Sequence, residues 1–511
     1  MSTSRARPPA AAALPSGVET ARLIVGLGVV LVGLAALRLL WLSRGWPLVH
    51  DAPLMHYIAW RIQEGAAPYR DVFDMNFPGV YAAHLLLLDT LGSGDRAFRA
   101  FDLGLLLAVG AGLWRALRFA GAWGGLAAAA LFVLYHVAGG PWLAGQRELL
   151  LCAFLTWGAA SVIASTEAAR GARTLWLGGA GLALGAAVWV KPHAVILLPA
   201  LASWAWRTAR GPARGRALAA VAAGVTLPGM AALAWLGWTG GLGAFADITL
   251  GYLIPLYNRL GRADLLHELA VRDYGVSVLL GLAAWAGLGI AALARGRRWR
   301  ALAILVTGLA YGALHFWVQG RGWEYHFYPA ALFATALGAA GLGVASADGR
   351  RALAVALMLA LGVTTGALWT KGQRNLAPAW IAAKLARVDH LSAALRPIVA
   401  AGGTVQVLDT TGGGIHALLR LRAREPSRFL YDFHFYHHVS HPYVRRLRAE
   451  LMGALRARPP SAVVVFEAGW PDGGYERLTG FPELQRWLLD GYRVAQEGDG
   501  YRLYVGRAGA Q

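Results

Sequence analysis

Residues 23–42 read LIVGLGVVLVGLAALRLLWL, and residues 50–57 then read HDAPLMHY. A helix needs about 20 mostly apolar residues to cross a bilayer, and the first stretch has that length and composition. The whole chain of 511 residues is 57% hydrophobic and 15% charged, with a mean hydropathy of +0.46. Such a composition excludes an ordinary soluble protein and predicts a polytopic α-helical membrane protein.

About eleven spans are predicted before the composition changes near residue 371. They cover residues 23–42, 100–119, 121–138, 149–165, 175–190, 192–206, 217–238, 275–294, 301–318, 327–346 and 352–370. The apolar stretch from Pro78 to Leu91 is interpreted as a helix at the membrane interface, because counting it as a span would reverse every later orientation.

Arginine placement predicts the orientation of these spans. Arginines collect in alternate short loops, at residues 115–118, 170–173, 207–216, 295–300 and 350–351. Cytoplasmic loops carry such an excess of positive charge, whereas most carboxylates before residue 371 fall in the other loops. The chain is therefore predicted to have its N terminus inside, its C terminus outside and a long first extracytoplasmic loop.

Three regions follow from this map. Residues 1–22 form a cytoplasmic tail, and the apolar run after it lacks a small-residue cleavage site, so it is expected to stay as an anchor. Residues 23–370 form the transmembrane domain. Residues 375–511 are mixed in composition, with strand-like runs at Val405–Leu408 and Ala462–Phe466 and a hairpin pattern from Tyr492 to Tyr504. They predict a small extracytoplasmic α/β domain.

The net charge of +20 does not indicate a nucleic-acid partner, because the arginines lie in short loops between apolar runs and not along one face. The expected surroundings are a lipid bilayer, in an inner or plasma membrane. The single cysteine, Cys152, lies inside an apolar run, so no intramolecular disulfide is possible.

Polar residues cluster at the outer ends of the predicted spans. Because polar residues at membrane depth are energetically costly, such clusters indicate a functional site. The first outer loop holds Asp51 and then the stretch from Gly65 to Asp71 with Tyr69 and Arg70. Later groups are Arg147-Glu148, Lys191-Pro192-His193, and the run from Gly320 to His326 with Arg321, Glu324 and Tyr325. All of these groups face outward on the predicted map.

These motifs resemble the glycosyltransferase C superfamily, in its branch of protein mannosyltransferases and lipid A aminoarabinose transferases. Asp51 matches an acidic residue after the first span, Gly65 to Asp71 matches a Gly-x-x-Pro-Tyr-x-Asp stretch, and Pro78-Gly79 matches a dipeptide before an interfacial helix. Arg147-Glu148, Lys191-Pro192 and Tyr325-His326 also resemble family motifs. Many relatives have a second acidic residue after the first, but here Asp51 precedes Ala52, which leaves coordination of a divalent metal open.

The resemblance implies an inverting transfer of a sugar from a polyprenyl-phosphate carrier to an acceptor hydroxyl. An incoming hydroxyl must lose a proton, and Asp51 is the best candidate base. The departing phosphate needs positive charge, for which Arg147, Lys191 and Arg321 are the candidates. Glu148 is a candidate second catalytic carboxylate, and the other predicted substrate-binding residues are His193, Tyr325, His326, Tyr69 and Arg70. The active site is expected to face the periplasm or the cell exterior.

Two rival interpretations stay open. One is a transporter or flippase of a lipid-linked sugar, although internal repeats and polar residues at mid-membrane are not evident. The other is a catalytically inactive family member that acts as a binding partner. The acceptor, whether protein, lipid or polysaccharide, and the sugar itself are not specified by the sequence.

Two motifs of the C-terminal region are interpreted as structural. His434, His437, His438 and His441 have aromatic neighbours that favour a loop on the membrane rim over a metal site. The run from Thr410 to Gly414 resembles a phosphate-binding loop but lacks the Lys-Ser/Thr pair that nucleotide binding requires.

Overall fold

The computed structural model describes residues 17–264, 268, 275–409 and 411–507, so most of the predicted tail, residues 1–22, lies outside the described residues. The helices up to the C-terminal region are α1 Gly17–Leu42, α2 Ala52–Gln63, α3 Pro78–Thr90, α4 Asp95–Ala116, α5 Gly121–Ala138, α6 Arg147–Glu167, α7 Arg170–Val190, α8 Leu198–Thr208, α9 Ala213–Trp238, α10 Leu242–Ile248, α11 Val276–Arg295, α12 Trp299–Gln319, α13 Tyr328–Ala347 and α14 Arg351–Asn375.

Ten helical segments within the described residues are long and apolar enough to cross a membrane. They are α1, α4, α5, α6, α7, α9, α11, α12, the segment that ends in α13, and α14 with its continuation. The predicted multi-pass helical architecture is therefore confirmed. The helix predicted at the interface, α3, is only 13 residues long.

Hydrogen bonds between helix ends show which ends lie together in the bundle. The Asn375 side-chain amide donates to the carbonyl of Ala138, at a distance of 3.0 Å, so the ends of α14 and α5 lie together. Arg350 donates to the carbonyl of Arg295, at 2.8 Å, at the other end of the bundle. We call the first the Asp51 end, since the loop with Asp51 lies there, and the second the opposite end. The N-terminal helix begins at the opposite end, and the C-terminal region lies at the Asp51 end.

Helices α7 and α9 pack closely and run parallel. A Cβ atom on Gly181 would lie 2.5 Å from the carbonyl oxygen of Val221, and one on Gly185 would lie 2.4 Å from that of Val225. The partners advance in the same direction along both helices, and only glycine permits this approach of two backbones. A parallel pair requires the chain to return to the opposite end between the two helices.

Residues 192–208 make that return, but not as the spanning helix predicted for residues 192–206. Pro192–Leu197 form a 3₁₀ helix, and α8 adds only 11 residues. Arg173, near the start of α7, donates to the carbonyl of Thr208 at 2.7 Å, which places the end of α8 at the opposite end. The prediction of a regular helix was wrong because Pro192 and Pro199 each lack an amide hydrogen and restrict the residue before them.

The C-terminal region forms a small α/β domain, as predicted. Its elements are α15 Ala379–Ala400, β1 Val405–Leu408, α16 Gly414–Leu421, α17 Pro442–Ala457, β2 Ala462–Phe466, α18 Pro482–Gly491, β3 Tyr492–Gly498 and β4 Tyr501–Gly506. The strand order is β1-β2-β4-β3, with β1 and β2 parallel and the other pairs antiparallel. Both predicted strands and the predicted hairpin are confirmed. Strands β1 and β2 are fully buried, which explains their unbroken apolar runs.

This domain packs against the long first loop. The amide of Phe73 donates to the carbonyl of Arg428 at 2.7 Å, and the Tyr57 hydroxyl donates to the carbonyl of Ala423 at 2.9 Å. The Tyr443 hydroxyl of α17 donates to Asp247 of α10 at 2.8 Å. The first loop is thereby held between the bundle and the C-terminal domain.

A closed polar cluster, the Asp102 network, fixes the backbone just before α6. Asp102 is buried, and its carboxylate accepts hydrogen bonds from the guanidinium of Arg99 and from the amide of Gly145, the latter at 2.6 Å. His136 lies 3.2 Å from the same carboxylate, and its other ring nitrogen lies 2.6 Å from the Tyr328 hydroxyl. A buried charge is stable only with such partners. This network therefore anchors the loop that leads to Arg147.

Candidate active site

Asp51 directly precedes α2, in the Asp51 end of the bundle, and is paired with Arg147 at the start of α6. A guanidinium nitrogen of Arg147 lies 2.8 Å from Asp51 Oδ2, and the His50 ring lies 3.1 Å from Oδ1. Burial alone would raise the pKa of Asp51, but the charges of His50 and Arg147 outweigh it and hold the pKa well below its usual range. The side chain keeps 20% of its surface exposed, so the carboxylate is both ionised and reachable.

The other terminal nitrogen of the Arg147 guanidinium is bonded to Asn76. Arg147 Nη1 donates to the Asn76 side-chain oxygen, while the Asn76 side-chain nitrogen donates to Asp74 Oδ2 at 2.8 Å. Asp74 is buried and also accepts hydrogen bonds from the hydroxyls of Tyr81 and Tyr431. Arg147 is thus fixed between Asp51 and a buried polar chain.

A second cluster surrounds Glu148, which is fully buried one residue after Arg147. Lys191 Nζ lies 2.6 Å from Glu148 Oε1, and His326 Nε2 lies 3.9 Å from the same oxygen. Tyr325 is buried beside Arg147 and Glu148. Among the described residues, neither the Tyr325 hydroxyl nor His326 Nδ1 has a hydrogen-bond partner. Buried polar atoms are nearly always paired, so unpaired atoms beside the cations Arg147 and Lys191 suit a polar ligand.

Two further predicted residues line the same region. His193 Nε2 lies 2.8 Å from His315 Nδ1, so this ring is held by α12. The Arg321 guanidinium lies over the Tyr257 ring, 4.0 Å from its centroid, and donates to the Tyr257 hydroxyl at 2.5 Å. Tyr257 lies in turn near Arg147. A cation held on an aromatic face keeps free hydrogen-bond donors for an anion.

The two predicted residues of the first loop differ. Tyr69 is buried, has a left-handed backbone with φ of 65°, and donates from its hydroxyl to the carbonyl of Asn76 at 2.7 Å. Arg70 instead points to solvent, where it pairs with Asp71 at 2.9 Å. The structure therefore brings together Asp51, Arg147, Glu148, Lys191, His193, Arg321, Tyr325, His326 and Tyr69, and leaves Arg70 outside the cluster.

Several residues at the site were not singled out from the sequence. Asp74 and Asn76 stand in the first loop, where their polar character was the only signal. Lys384 of α15 is buried near both Asp51 and Asp409, and it lines a small cleft with His50 and His416. No sequence pattern links Lys384 to Asp51, because the contact joins two domains 333 positions apart.

The motifs interpreted as structural have no ligand geometry among the described residues. No group of three or more histidine, cysteine or acidic side chains is placed there to hold a metal ion. His434 is buried among Phe73, Phe429 and Phe435, which puts it between the first loop and the C-terminal domain and not on a membrane rim. Asp409 accepts hydrogen bonds from the amides of residues 412–414, so this loop binds its own carboxylate; Thr410 lies outside the described residues.

No protein family model matches the chain, and no curated protein sequence matches it. Solved structures do match. ArnT from Cupriavidus metallidurans bound to undecaprenyl phosphate is 14% identical, with a TM-score of 0.58, and the match covers 94% of this chain and 98% of ArnT. Its apo state gives a TM-score of 0.59 over the same shares of the two chains.

A second solved structure with a similar fold is the Archaeoglobus fulgidus oligosaccharyltransferase tethered with an acceptor peptide. It is also 14% identical, with a TM-score of 0.51, and the match covers 86% of this chain and 69% of that one. At such identities the likeness concerns the fold alone. At that level the resemblance predicted from the sequence is confirmed: this chain has an ArnT-like fold.

Proposed function

We propose that this protein is an inverting glycosyltransferase that moves a sugar from a polyprenyl-phosphate carrier to an acceptor hydroxyl at the Asp51 end of the bundle. The observation that carries the proposal is an ionised, partly exposed carboxylate, Asp51, that is held by Arg147 next to the Glu148 cluster. A base beside fixed cations is the arrangement that transfer from a phosphate requires.

In the proposed reaction the carboxylate acts on the acceptor and the cations act on the departing phosphate. The acceptor hydroxyl forms a bond to the anomeric carbon while its proton passes to Asp51, and the bond from that carbon to the phosphate oxygen breaks. The phosphate leaves with the electron pair and is stabilised by Arg147, Lys191 and Arg321. A general base typically contributes ~10² to 10⁴ in rate. One displacement on one face of the sugar inverts its configuration.

Arg147 has two duties in this scheme. While it is paired with Asp51, the pKa of the carboxyl is held low and the carboxylate is a weak base. A donor phosphate that takes over one guanidinium edge weakens that pair and restores basicity to Asp51. Donor binding then precedes proton transfer to Asp51.

An apolar groove among the helices supports binding of the carrier tail. The groove has a cavity volume of about 90 Å³ and lies between α6, α7, α8, α12 and α13, with Phe154, Leu184, Leu201 and Phe333 in its lining. Phe154 lies less than two helical turns after Glu148 in α6. Each buried methylene contributes about 0.8 kcal/mol, so a polyprenyl chain gains affinity along such a groove. Undecaprenyl phosphate is also the ligand of the ArnT structure that shares this fold.

The location of the active site follows from the predicted orientation. Arginines fill the loops at the opposite end, and positive charge marks the cytoplasmic side. We therefore propose an inner or plasma membrane protein whose Asp51 end faces the periplasm or exterior, where it meets a protein, lipid or polysaccharide acceptor.

Release of polyprenyl phosphate from a radiolabelled lipid-linked sugar tests the proposal. Membranes that contain the protein are expected to release the carrier, and Asp51→Asn is expected to abolish release, because an amide cannot accept the proton. Asp89→Asn is the matched control: this carboxylate is exposed, bonds Gln63 at 2.5 Å, and lies far along the same loop. It should leave turnover unchanged.

Two results would contradict the proposal. Undiminished turnover by a folded Asp51→Asn variant would remove Asp51 from the mechanism. Movement of the labelled lipid across a liposome membrane without release of the carrier would instead favour transport. Absence of both activities with retained lipid binding would favour the inactive, binding role.

A further inference from the structure

The hydrogen bonds behind Arg147 run without a break into the C-terminal domain. Arg147 donates to the Asn76 side-chain oxygen, Asn76 donates to Asp74, and Asp74 accepts from the Tyr431 hydroxyl. Tyr431 belongs to the segment between α16 and α17, whereas Asp74 and Asn76 belong to the first loop. We call Asn76, Asp74 and Tyr431 the relay.

Asn76 can join its two neighbours because its side chain both donates and accepts hydrogen bonds. Arg147 is only a donor and Asp74 is only an acceptor when ionised, so the residue between them must accept on one side and donate on the other. The Asn76 amide does both, and its backbone amide also donates to Asp74 Oδ2 at 3.0 Å. The orientation of the side chain is therefore determined: its oxygen must point to Arg147.

Asp74 is held by neutral donors. Its carboxylate accepts from both nitrogens of Asn76 and from the hydroxyls of Tyr81 and Tyr431, and its residue is only 2% exposed. Burial, and then the Asp74 charge, raise the pKa of Tyr431 well above its ordinary value, so this hydroxyl stays a donor at any working pH. The bonds from Arg147 through Asn76 and the bond from Tyr431 therefore converge on the Asp74 carboxylate, and each has a fixed donor.

We propose that Asn76, Asp74 and Tyr431 are positioning residues that hold the Arg147 guanidinium against Asp51, so that the geometry of the site depends on the docked C-terminal domain. The proposal rests on the proposed function and goes beyond it. It assigns to the C-terminal domain a part in the reaction, through a hydroxyl that contacts neither Asp51 nor Arg147.

The structure supplies a matched control for Tyr431. Tyr443, in the same domain, also donates from its hydroxyl to a carboxylate across the same boundary, at 2.8 Å from Asp247. Asp247 pairs with Arg446 on the outside of the interface and has no bond to the relay. Tyr431→Phe and Tyr443→Phe therefore remove the same kind of contact, and only the first one reaches Arg147.

The test measures kcat/KM for carrier release by the full-length protein in lipid nanodiscs. Asn76→Ala is expected to lower it by ~10²-fold, since a small displacement of a charged group at a reacting centre has that cost. Tyr431→Phe is expected to lower it by about 5- to 10-fold, the scale of one lost hydrogen bond. Tyr443→Phe should leave it unchanged.

A double variant and a pH profile separate positioning from folding. If the relay acts as one unit, the Asn76→Ala, Tyr431→Phe double variant is no slower than Asn76→Ala alone. A loosened Arg147 also lets the pKa of Asp51 rise, so the acid limb of kcat/KM should move to higher pH. The charged and titratable groups that face Asp51 include His50, Arg147, Lys384 and Tyr325, and of these only Arg147 is bonded to the relay.

Each other outcome counts against the proposal. Undiminished turnover of Asn76→Ala, multiplicative losses in the double variant, or an equal loss in Tyr443→Phe would overturn the relay while leaving the glycosyltransferase assignment in place. A wild-type protein without carrier release would overturn the proposed function, and the relay with it.

Discussion

Two buried polar clusters flank the start of α6, and they differ in one respect. In the Asp102 network, Asp102 is enclosed by Arg99, His136 and the Gly145 amide, and the Tyr328 hydroxyl is bonded in turn to His136. Around Glu148, the Tyr325 hydroxyl and His326 Nδ1 have no partner among the described residues. In the first cluster the Asp102 carboxylate and both ring nitrogens of His136 are bonded within the protein, and only Arg99 Nε has no partner among the described residues. The second one has unused hydrogen-bonding capacity where a substrate headgroup is proposed to bind.

The largest expected effect is on stability, at Asp102. Asp102→Ala leaves the buried Arg99 charge without its carboxylate, and breaking such a pair costs about 3–5 kcal/mol. The yield of folded protein and its thermal unfolding in detergent measure this loss. Asp102→Asn, which keeps the shape, should lie between this variant and wild type. A melting temperature equal to that of wild type would mean that the network is not structural.

Removing one hydroxyl from each of two tyrosines, Tyr325 and Tyr328, tests the contrast between the two clusters. Tyr325→Phe removes an unpartnered hydroxyl, so stability should be unchanged while kcat/KM for carrier release falls by about 10-fold, the loss of one hydrogen bond in the complex. Tyr328→Phe leaves a buried His136 nitrogen unpaired and should lose about 1–2 kcal/mol of stability, with normal turnover per folded molecule. A loss of stability in Tyr325→Phe together with a loss of turnover in Tyr328→Phe would reverse our assignment of the two clusters.

The smallest effect concerns Glu425, a buried carboxylate of the C-terminal domain that has no assigned part in the proposed chemistry. Its Oε1 accepts from the amide of Val407 at 3.1 Å, but Oε2 has no partner among the described residues, and burial raises the pKa well above its ordinary value. The folded state therefore binds a proton that the unfolded state releases, so stability falls as the pH rises above about 4.3, the unfolded pKa.

Glu425→Gln removes this dependence on pH. The variant should be more stable than wild type at neutral pH, and the difference should narrow as the pH falls towards 4. Turnover should not change. An unpaired buried oxygen would then not be enough, by itself, to identify a substrate site. Thermal unfolding at several pH values makes the measurement, and a less stable variant at pH 7 would contradict it.

Much of the fold was predictable because hydropathy records it directly. The spans, the strands of the C-terminal domain and the hairpin around Asp499 each follow from local composition. The segment after Lys191 was the exception, since its apolar composition predicts a helix while Pro192 and Pro199 prevent a regular one. Composition shows which residues prefer lipid, but it does not show how the backbone satisfies its hydrogen bonds.

The site was predictable only in part, for a related reason. Asp51, Arg147 and Lys191 could be singled out because each stands at the end of an apolar run on the same predicted side. Asn76 and Tyr431 could not, because their importance comes from contacts across 71 and 357 positions. Such contacts leave no period or spacing in a single sequence, and only the folded chain brings them together.

The irregular segment between α7 and α9 has a consequence for biosynthesis. Six residues of 3₁₀ helix and 11 of α-helix reach roughly 28 Å, barely the thickness of the hydrocarbon layer, and the helical part alone is too short to insert as a span. Because α9 packs on both α7 and α8, we expect it to secure this segment once it has left the ribosome. A nascent chain arrested after residue 208 is expected to be recognised by membrane quality control, whereas one that extends past Trp238 contains all three segments of this unit.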